Sequence, residues 1–494
     1  MLTLRKFCRI ACLSATLVAL PVGAQPSGLP SMGSAGGTEL SPALERTLGN
    51  AIMEQGRRDP TYIAEPAVEQ YLTRMGHRLA KHAPQSLSQT IQVFALRDPS
   101  INAFALPGGY VGIHSGLVVN AETEAELASV VAHEIGHVAQ RHIARGMTQR
   151  SESGHILFAS IAGALLAALS GSADLAMGVA AFGQAAAVDR QLGFSRSAEH
   201  EADRTGLQML QRAGYDPKGM VDMFRRLMTA SRLNEGTGSA NVYTSTHPLS
   251  IQRMSDIENR LRQDGAQNYY TDPDFWYVRA KLRVIQATSR QARLSVMDRL
   301  RADTQEQRGT AQAAAWYGLA YAEFENKNYA GAQEAWQHAQ RLGGQTTWTD
   351  ALSIRLHQAQ GQGSQALTLA QAAVKRWPQS LDIALTYGEL LQQQGHNAQA
   401  IDYLKQAAQS WPDVPRIQQL LAQSYERTNQ AALARRSMAN YYTLVGALPA
   451  AVEQLQQARN QSKDFYEQSQ LDVQIRELRE RVETERLLLE RFKS

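Results

Sequence analysis

Residues 122–145, ETEAELASVVAHEIGHVAQRHIAR, carry the clearest pattern in this chain of 494 residues. Their apolar spacing predicts one long helix. Within it, His133 and His137 lie one turn apart, so both imidazoles leave the same face and can reach one metal ion. Neutral imidazole is a suitable ligand for Zn²⁺. Glu134 lies on the adjacent side of the helix, from which its carboxylate can take a proton from an attacking water. The stretch therefore predicts a helical metal centre built for hydrolysis.

A catalytic zinc site needs a third protein ligand and one open position. The candidates lie in SRSAEHEAD, residues 195–203. Glu199 and Asp203 are four residues apart and share a helix face, whereas Glu201 is turned by about 200° from Glu199. The spacing favours Glu199 as the ligand and Asp203 as the carboxylate that orients a ligand histidine through its other ring nitrogen. Glu201 as the ligand in place of Glu199 is the alternative; otherwise Glu201 and His200 are solvated or structural.

The sequence around these motifs predicts a mostly helical domain with a small sheet. Residues 41–86 have helical spacing, and a further helix is expected at about 195–212. Residues 89–97 and 101–119 have the composition of strands. Pro107, Gly108 and Gly109 interrupt the second of these stretches as a turn or bulge.

The second half of the chain is a repeat array. Four alanines recur every 34 residues, at Ala332, Ala366, Ala400 and Ala434. This period is typical of the tetratricopeptide repeat, whose helix pairs stack into a superhelix with a concave groove. The expected fold class is therefore α+β and mostly α: a zincin-like metalloprotease domain with a small sheet, followed by an all-α tetratricopeptide-repeat solenoid.

The first 24 residues have the pattern of an export signal. A basic start with Arg5, Lys6 and Arg9 precedes an apolar stretch at 10–20, and small residues end at Ala24, after which cleavage is expected. An uncleaved anchor is the alternative. Both cysteines, Cys8 and Cys12, lie in this segment. The processed chain would therefore have no disulfide, thiol nucleophile or cysteine-ligated metal.

The charge balance gives no reason to expect a nucleic-acid partner. Lys plus Arg number 50 and Asp plus Glu number 46, a formal charge of +4. Removing the three basic residues of the signal leaves 47 against 46, or +1. A near-neutral chain lacks the excess of positive charge that drives binding to phosphate backbones.

These patterns predict six segments along the chain. They are a signal peptide at 1–24, a flexible leader at 25–40, a zinc metalloprotease domain at 41–265, a helical connector at 266–310, tetratricopeptide repeats at 311–445 and C-terminal capping helices at 446–494.

Two assignments have open alternatives. The apolar segment 155–187 is either a buried helical hairpin that packs on the enzyme core, or a mobile lid or membrane-touching loop. The amphipathic helix at 465–494 either caps the array or packs back on the enzyme.

HEIGH, followed about sixty residues later by SRSAEHEAD, resembles the family of integral and periplasmic zinc metallopeptidases with HExxH and ExxxD motifs. NAFALPGGYVGIHSGL, at 102–117, resembles the edge strand beside the active site of that family. The resemblance implies one Zn²⁺ per chain, held by His133, His137 and Glu199, with Glu134 as the base. A downstream His-Pro segment of this subfamily matches His247, which the resemblance implies can be a fourth zinc ligand that blocks the open position. A surface histidine that ends a loop is the alternative.

With its export signal, protease motifs and repeats, the chain resembles the branch of the family that acts on outer-membrane β-barrel proteins. The resemblance implies a periplasmic zinc endopeptidase that degrades misfolded or stalled clients, with the repeat groove recruiting them or the barrel-assembly machinery. The alternative is a chaperone-like adaptor whose protease is normally latent. A membrane-embedded protease is disfavoured because the sequence has no clean apolar span of about 20 residues. The strand at 101–113 is expected to accept an extended peptide by β-augmentation, which would make cleavage specificity loose.

Overall fold

The computed structural model describes residues 41–84, 87, 89–149, 194–234, 243, 247–248, 250–261 and 268–490. The expected signal peptide, leader and apolar segment 155–187 lie outside the described residues. Within the described ranges, no helix is both long and apolar enough to cross a membrane.

The N-terminal part builds a small sheet against helices. Its first elements are α1 (Pro42–Gly56), α2 (Pro66–Ala80), β1 (Gln92–Leu96), β2 (Ala103–Leu106), β3 (Tyr110–His114) and α3 (Ser115–Asn120). The strand order is β1-β3-β2, with β1 parallel and β2 antiparallel to β3. The strand predicted over 101–119 is wrong beyond His114, where the chain turns into α3. An apolar run such as Leu117 and Val118 is buried equally well on a helix, so the pattern alone could not separate the two.

The helix predicted over 122–145 is broken in two. The chain forms α4 (Glu124–Ala139) and α5 (His142–Gln149), and Arg141 between them has a positive φ of 53°. The guanidinium of Arg141 pairs with Glu45 of α1 at 3.1 Å, which holds the break in place. Because of this break, α5 turns away from the axis of α4.

Helix α4 crosses α6 (Arg196–Arg212) at very short range. A Cβ atom at Gly136 would lie 2.9 Å from the carbonyl oxygen of Ala202, and one at Gly206 would lie 3.0 Å from the amide nitrogen of His133. A Cβ atom at Gly136 would force the two backbones apart, and one at Gly206 would make an unusually tight contact, so glycine at both positions favours this approach. Helices α7 (Lys218–Asn234) and α8 (Ile251–Leu261) complete this part of the molecule.

The rest of the chain is an array of paired helices. They are α9 (Asp274–Ile285), α10 (Arg290–Glu306), α11 (Gly309–Glu325), α12 (Tyr329–Gly343), α13 (Thr347–Ala359), α14 (Gly363–Arg376), α15 (Leu381–Gln393), α16 (Asn397–Ser410), α17 (Pro415–Arg427), α18 (Ala431–Leu444), α19 (Leu448–Gln461) and α20 (Phe465–Glu490). The four periodic alanines each occupy the fourth position of a helix, in α12, α14, α16 and α18. All four are at most 1% exposed, as expected where two helices of a repeat meet closely. The fold class predicted from the sequence is confirmed.

The array closes back onto the N-terminal part through its last helices. At its start, α20 packs Leu471 and Ile475 against α19, which is the expected capping role. At its end, Leu489 enters a core that it shares with α1. Between these contacts, Arg481 pairs with Glu54 of α1 at 2.8 Å. Helix α20 therefore packs on the end of the repeat array and also packs back on the N-terminal part, the two arrangements that the sequence left as alternatives.

Candidate metal centre

Four buried side chains from three parts of the chain converge on one point. His133 and His137 come from α4, Glu199 comes from the first turn of α6, and His247 comes from the segment between α7 and α8. Each is at most 1% exposed, and each offers a ligand atom within 4.8 Å of the others. Imidazole nitrogens and a carboxylate oxygen form a typical donor set for a divalent transition metal.

The two ring nitrogens of α4 face each other directly. His133 Nε2 and His137 Nε2 are 3.0 Å apart. Burial alone would lower the pKa of His133, but the neighbouring Asp203 and Glu199 carboxylates outweigh burial and raise that pKa to about 10. Two imidazole lone pairs at this distance repel unless a cation lies between them. The arrangement therefore fits a metal ion, which would take the place of a proton.

Asp203, one turn after Glu199, supports the ring of His133 from behind. Its Oδ1 lies 3.0 Å from His133 Nδ1. The ring N–H does not point straight at this oxygen, so the contact acts through charge more than as an aligned hydrogen bond. A carboxylate on this side favours the proton on Nδ1 and leaves Nε2 with its lone pair toward the centre.

A buried guanidinium ties the two carboxylates of α6 together. Arg253 of α8 reaches Asp203 with Nε and Nη2, both at 2.7 Å, and its Nη1 lies 2.8 Å from Glu199. Nη1 also donates to the carbonyl oxygen of Pro248 at 2.9 Å. Burial would raise the pKa values of both carboxyl groups, but the surrounding imidazoles hold the pKa of Glu199 below its usual range, and Arg253 with His133 does the same for Asp203.

Glu134 lies beside the four converging side chains and is completely buried. Its Oε1 is 3.6 Å from His247 Nε2. Burial raises the pKa of Glu134, and the nearby imidazoles only partly oppose this. The site holds more carboxyl groups (Glu134, Glu199 and Asp203) than guanidinium groups (Arg253), so a bound cation would improve its charge balance.

All six predicted site residues are brought together: His133, Glu134, His137, Glu199, Asp203 and His247. Glu201, the alternative ligand, lies outside the converging group, with its Oε2 3.2 Å from His142 and 3.0 Å from Arg145. The contacts of Arg253 with the Asp203 and Glu199 carboxylates were not predicted from the sequence, and neither was a position for His142 beside the metal centre. No spacing in the sequence links residue 253 to the motif at 195–203, so that contact had no local signal.

Comparison with known proteins finds relatives of both parts of the chain. Residues 66–261 match the model of peptidase family M48, and residues 357–424 match that of the tetratricopeptide repeat. The beta-barrel assembly-enhancing protease of Escherichia coli K12 is 30% identical over 470 residues, which are 94% of this chain and 92% of that protein.

Two further relatives cover part of the chain. A Vibrio cholerae protein named for the same activity is 36% identical over 277 residues, which are 55% of this chain and only 56% of that protein. The metalloprotease LoiP of E. coli is 29% identical over 267 residues, 51% of this chain and 98% of that protein. This family implies a divalent metal, which the converging histidines and the Glu199 carboxylate can hold. The chain belongs to peptidase family M48 and is a metalloendopeptidase that carries tetratricopeptide repeats.

Proposed function

We propose that this chain is a zinc endopeptidase in which His133, His137 and Glu199 hold one Zn²⁺ and Glu134 is the general base. The observation that carries this proposal is the convergence of the ligand atoms of those three residues beside the buried Glu134 carboxylate. When bound, the metal polarises the peptide carbonyl and makes water more acidic. Glu134 takes the proton of the attacking water and delivers it to the leaving amine. Asp203 and Arg253 keep the ligands oriented during these steps.

The first test is removal and return of the metal. Dialysis of the purified protein against a chelator is expected to abolish casein cleavage, and about one equivalent of Zn²⁺ per chain is expected to restore it. His133→Ala should neither retain zinc nor recover activity under the same treatment. Full activity in chelated protein, with metal content measured by atomic absorption, would contradict the proposal.

We further propose that His247 acts as a removable fourth ligand that keeps the protease latent. Its Nδ1 is 3.0 Å from Glu199 Oε1, and its ring stacks on Tyr243 with centroids 4.7 Å apart. The ring is completely buried among the proposed metal ligands. A fourth protein ligand fills the position that substrate or water needs, so a site with His247 in place is closed.

His247→Ala is expected to speed casein cleavage about tenfold while the protein keeps its zinc, because the open position is restored. His200→Ala is the matched control: His200 lies in α6 beside the motif but faces Asp256 at 3.5 Å, outside the metal centre. This control should cleave at the wild-type rate. An unchanged or slower rate for His247→Ala with full zinc content would show that His247 is not a plug.

The substrates we propose are misfolded or stalled outer-membrane β-barrel proteins, met in the periplasm after export. The name of the E. coli relative and its 94% coverage of this chain support this proposal. Within the described residues, β2 has a strand partner on one side only, so an extended client backbone could add to its edge. A cavity of about 540 Å³ between α2 and the repeats offers a place to hold a client or the barrel-assembly machinery. Its walls include Glu69, Tyr321, Arg355, Asp382 and Arg416.

The second candidate function is a chaperone-like adaptor whose protease is normally shut. The observation that favours it is the position of His247 inside the converging group. The two candidates differ in whether assembly of the clients requires the Glu134 carboxylate.

A further inference from the structure

We propose that His142 and Glu201 are positioning residues that fix the ring of His137 for metal binding through a relay of two hydrogen bonds. The proposal rests on the proposed function, because it takes His137 to be a metal ligand. It assigns a role to the first residue of α5 and to Glu201, which lies midway between Glu199 and Asp203; neither takes part in the mechanism described above.

The relay is a continuous line of polar atoms leading away from the metal centre. His137 Nδ1 is 2.9 Å from His142 Nδ1, and His142 Nε2 is 3.2 Å from Glu201 Oε2. Both contacts have the geometry of hydrogen bonds. His142 is only 2% exposed, so water does not compete for its ring nitrogens. Arg145, one turn further along α5, holds the same Glu201 oxygen at 3.0 Å and fixes the outer end of the relay.

The direction of each hydrogen bond follows from proton counting. An ionised Glu201 carboxylate can only accept, so His142 must donate from Nε2. A neutral imidazole carries one N–H, so His142 Nδ1 has a lone pair and can only accept. The proton shared with His137 therefore belongs to His137 Nδ1. This leaves His137 Nε2 with its lone pair directed at His133 Nε2 and at the proposed metal position.

The two proposed ligand histidines of α4 are thus held in place by different contacts. His133 faces the carboxylate of Asp203 directly, whereas His137 reaches the carboxylate of Glu201 through the ring of His142. The relay exists because the backbone breaks at Arg141, which lets α5 fold so that His142 lies against His137. A continuous helix would have placed residues 137 and 142 about 500° apart, with their side chains on different faces.

The test compares two replacements of His142 of different chemistry. In His142→Asn, the amide oxygen can stand where Nδ1 stood and accept from His137, whereas His142→Leu fills the space without an acceptor. We expect a zinc Kd, measured by competition with a chelator, about 10–100-fold weaker for His142→Leu and within about threefold of wild type for His142→Asn. Thermal unfolding of the metal-free proteins checks that both fold. A packing role alone would favour leucine over asparagine.

Glu201→Gln probes the outer end of the relay at a side chain that is 20% exposed and less critical for folding. Its zinc Kd should lie between those of wild type and His142→Leu, because the amide oxygen accepts more weakly than a carboxylate. His200→Gln, which alters the neighbouring histidine that faces Asp256, is the matched control and should leave the zinc Kd unchanged.

The outcomes separate this inference from the proposed function. If wild type binds zinc and His137→Ala abolishes binding, the proposed metal centre stands. In that case, equal zinc Kd values for wild type, His142→Leu and His142→Asn would overturn the relay alone, and so would an asparagine variant as weak as leucine. If wild type binds no zinc at this centre, both proposals are overturned.

Discussion

Glu134→Gln is expected to lower kcat/KM for casein cleavage by about 10³-fold while leaving zinc content unchanged. The glutamine keeps the shape of the side chain but cannot take a proton from water at neutral pH. Glu134 is completely buried, and it is placed neither as a metal ligand nor as a support for one. The measurement is steady-state cleavage with metal content determined on the same samples, in the His247→Ala background, where we expect the rate to be higher.

The control for this experiment is Glu122→Gln, just before α4, where the side chain is 65% exposed. It should retain the rate of its parent protein. If Glu134→Gln loses less than about tenfold while retaining zinc, Glu134 is not the general base.

The same variant separates the two candidate functions in cells. In a strain that lacks the native copy, Glu134→Gln should fail to remove stalled barrel proteins if the protease is the main activity. If the adaptor is the main activity, Glu134→Gln should restore the assembly of outer-membrane proteins as well as wild type does. The readout is the amount of assembled barrel protein and of unassembled precursor in the same cells.

Arg253→Met is expected to reduce the free energy of unfolding of the metal-free protein by about 3–5 kcal/mol. Arg253 is 3% exposed and pairs with Asp203 and Glu199, which are equally buried. Methionine fills much of the same volume but leaves two buried carboxylates without their cation. Urea unfolding in the presence of a chelator measures the effect. Added zinc should recover part of the lost stability, because the metal supplies the missing positive charge to the folded state.

Arg225→Met is the matched control for charge removal. Arg225 also pairs with two carboxylates, Asp222 and Glu258, both at 2.9 Å, but it is 57% exposed. Its loss should cost less than about 1 kcal/mol, since exposed ion pairs are weak. If Arg253→Met is no more destabilising than this control, the Arg253 contacts do not compensate the buried charge of the metal centre.

The sequence was sufficient wherever the relevant geometry lies within one helix. His133 and His137 share a face because they are four residues apart, and the same spacing relates Glu199 to Asp203. The period of 34 residues was enough to predict the repeat helices, because each repeat reuses the same local packing of small residues. These features depend on the backbone period, which any helix of this sequence must follow.

Contacts between elements were decided by tertiary packing. The close crossing of α4 and α6 at Gly136 and Gly206, which lets Glu199 meet the two histidines, depends on how helices far apart in sequence pack. Arg253 could not be assigned to the metal centre from spacing alone, and the position of His247 among the ligands could be expected only by resemblance. The break at Arg141 is likewise held by Glu45 of a different helix, and without it His142 would not reach His137. Helical periodicity is local, whereas a metal centre is formed by whichever side chains the packed helices bring together.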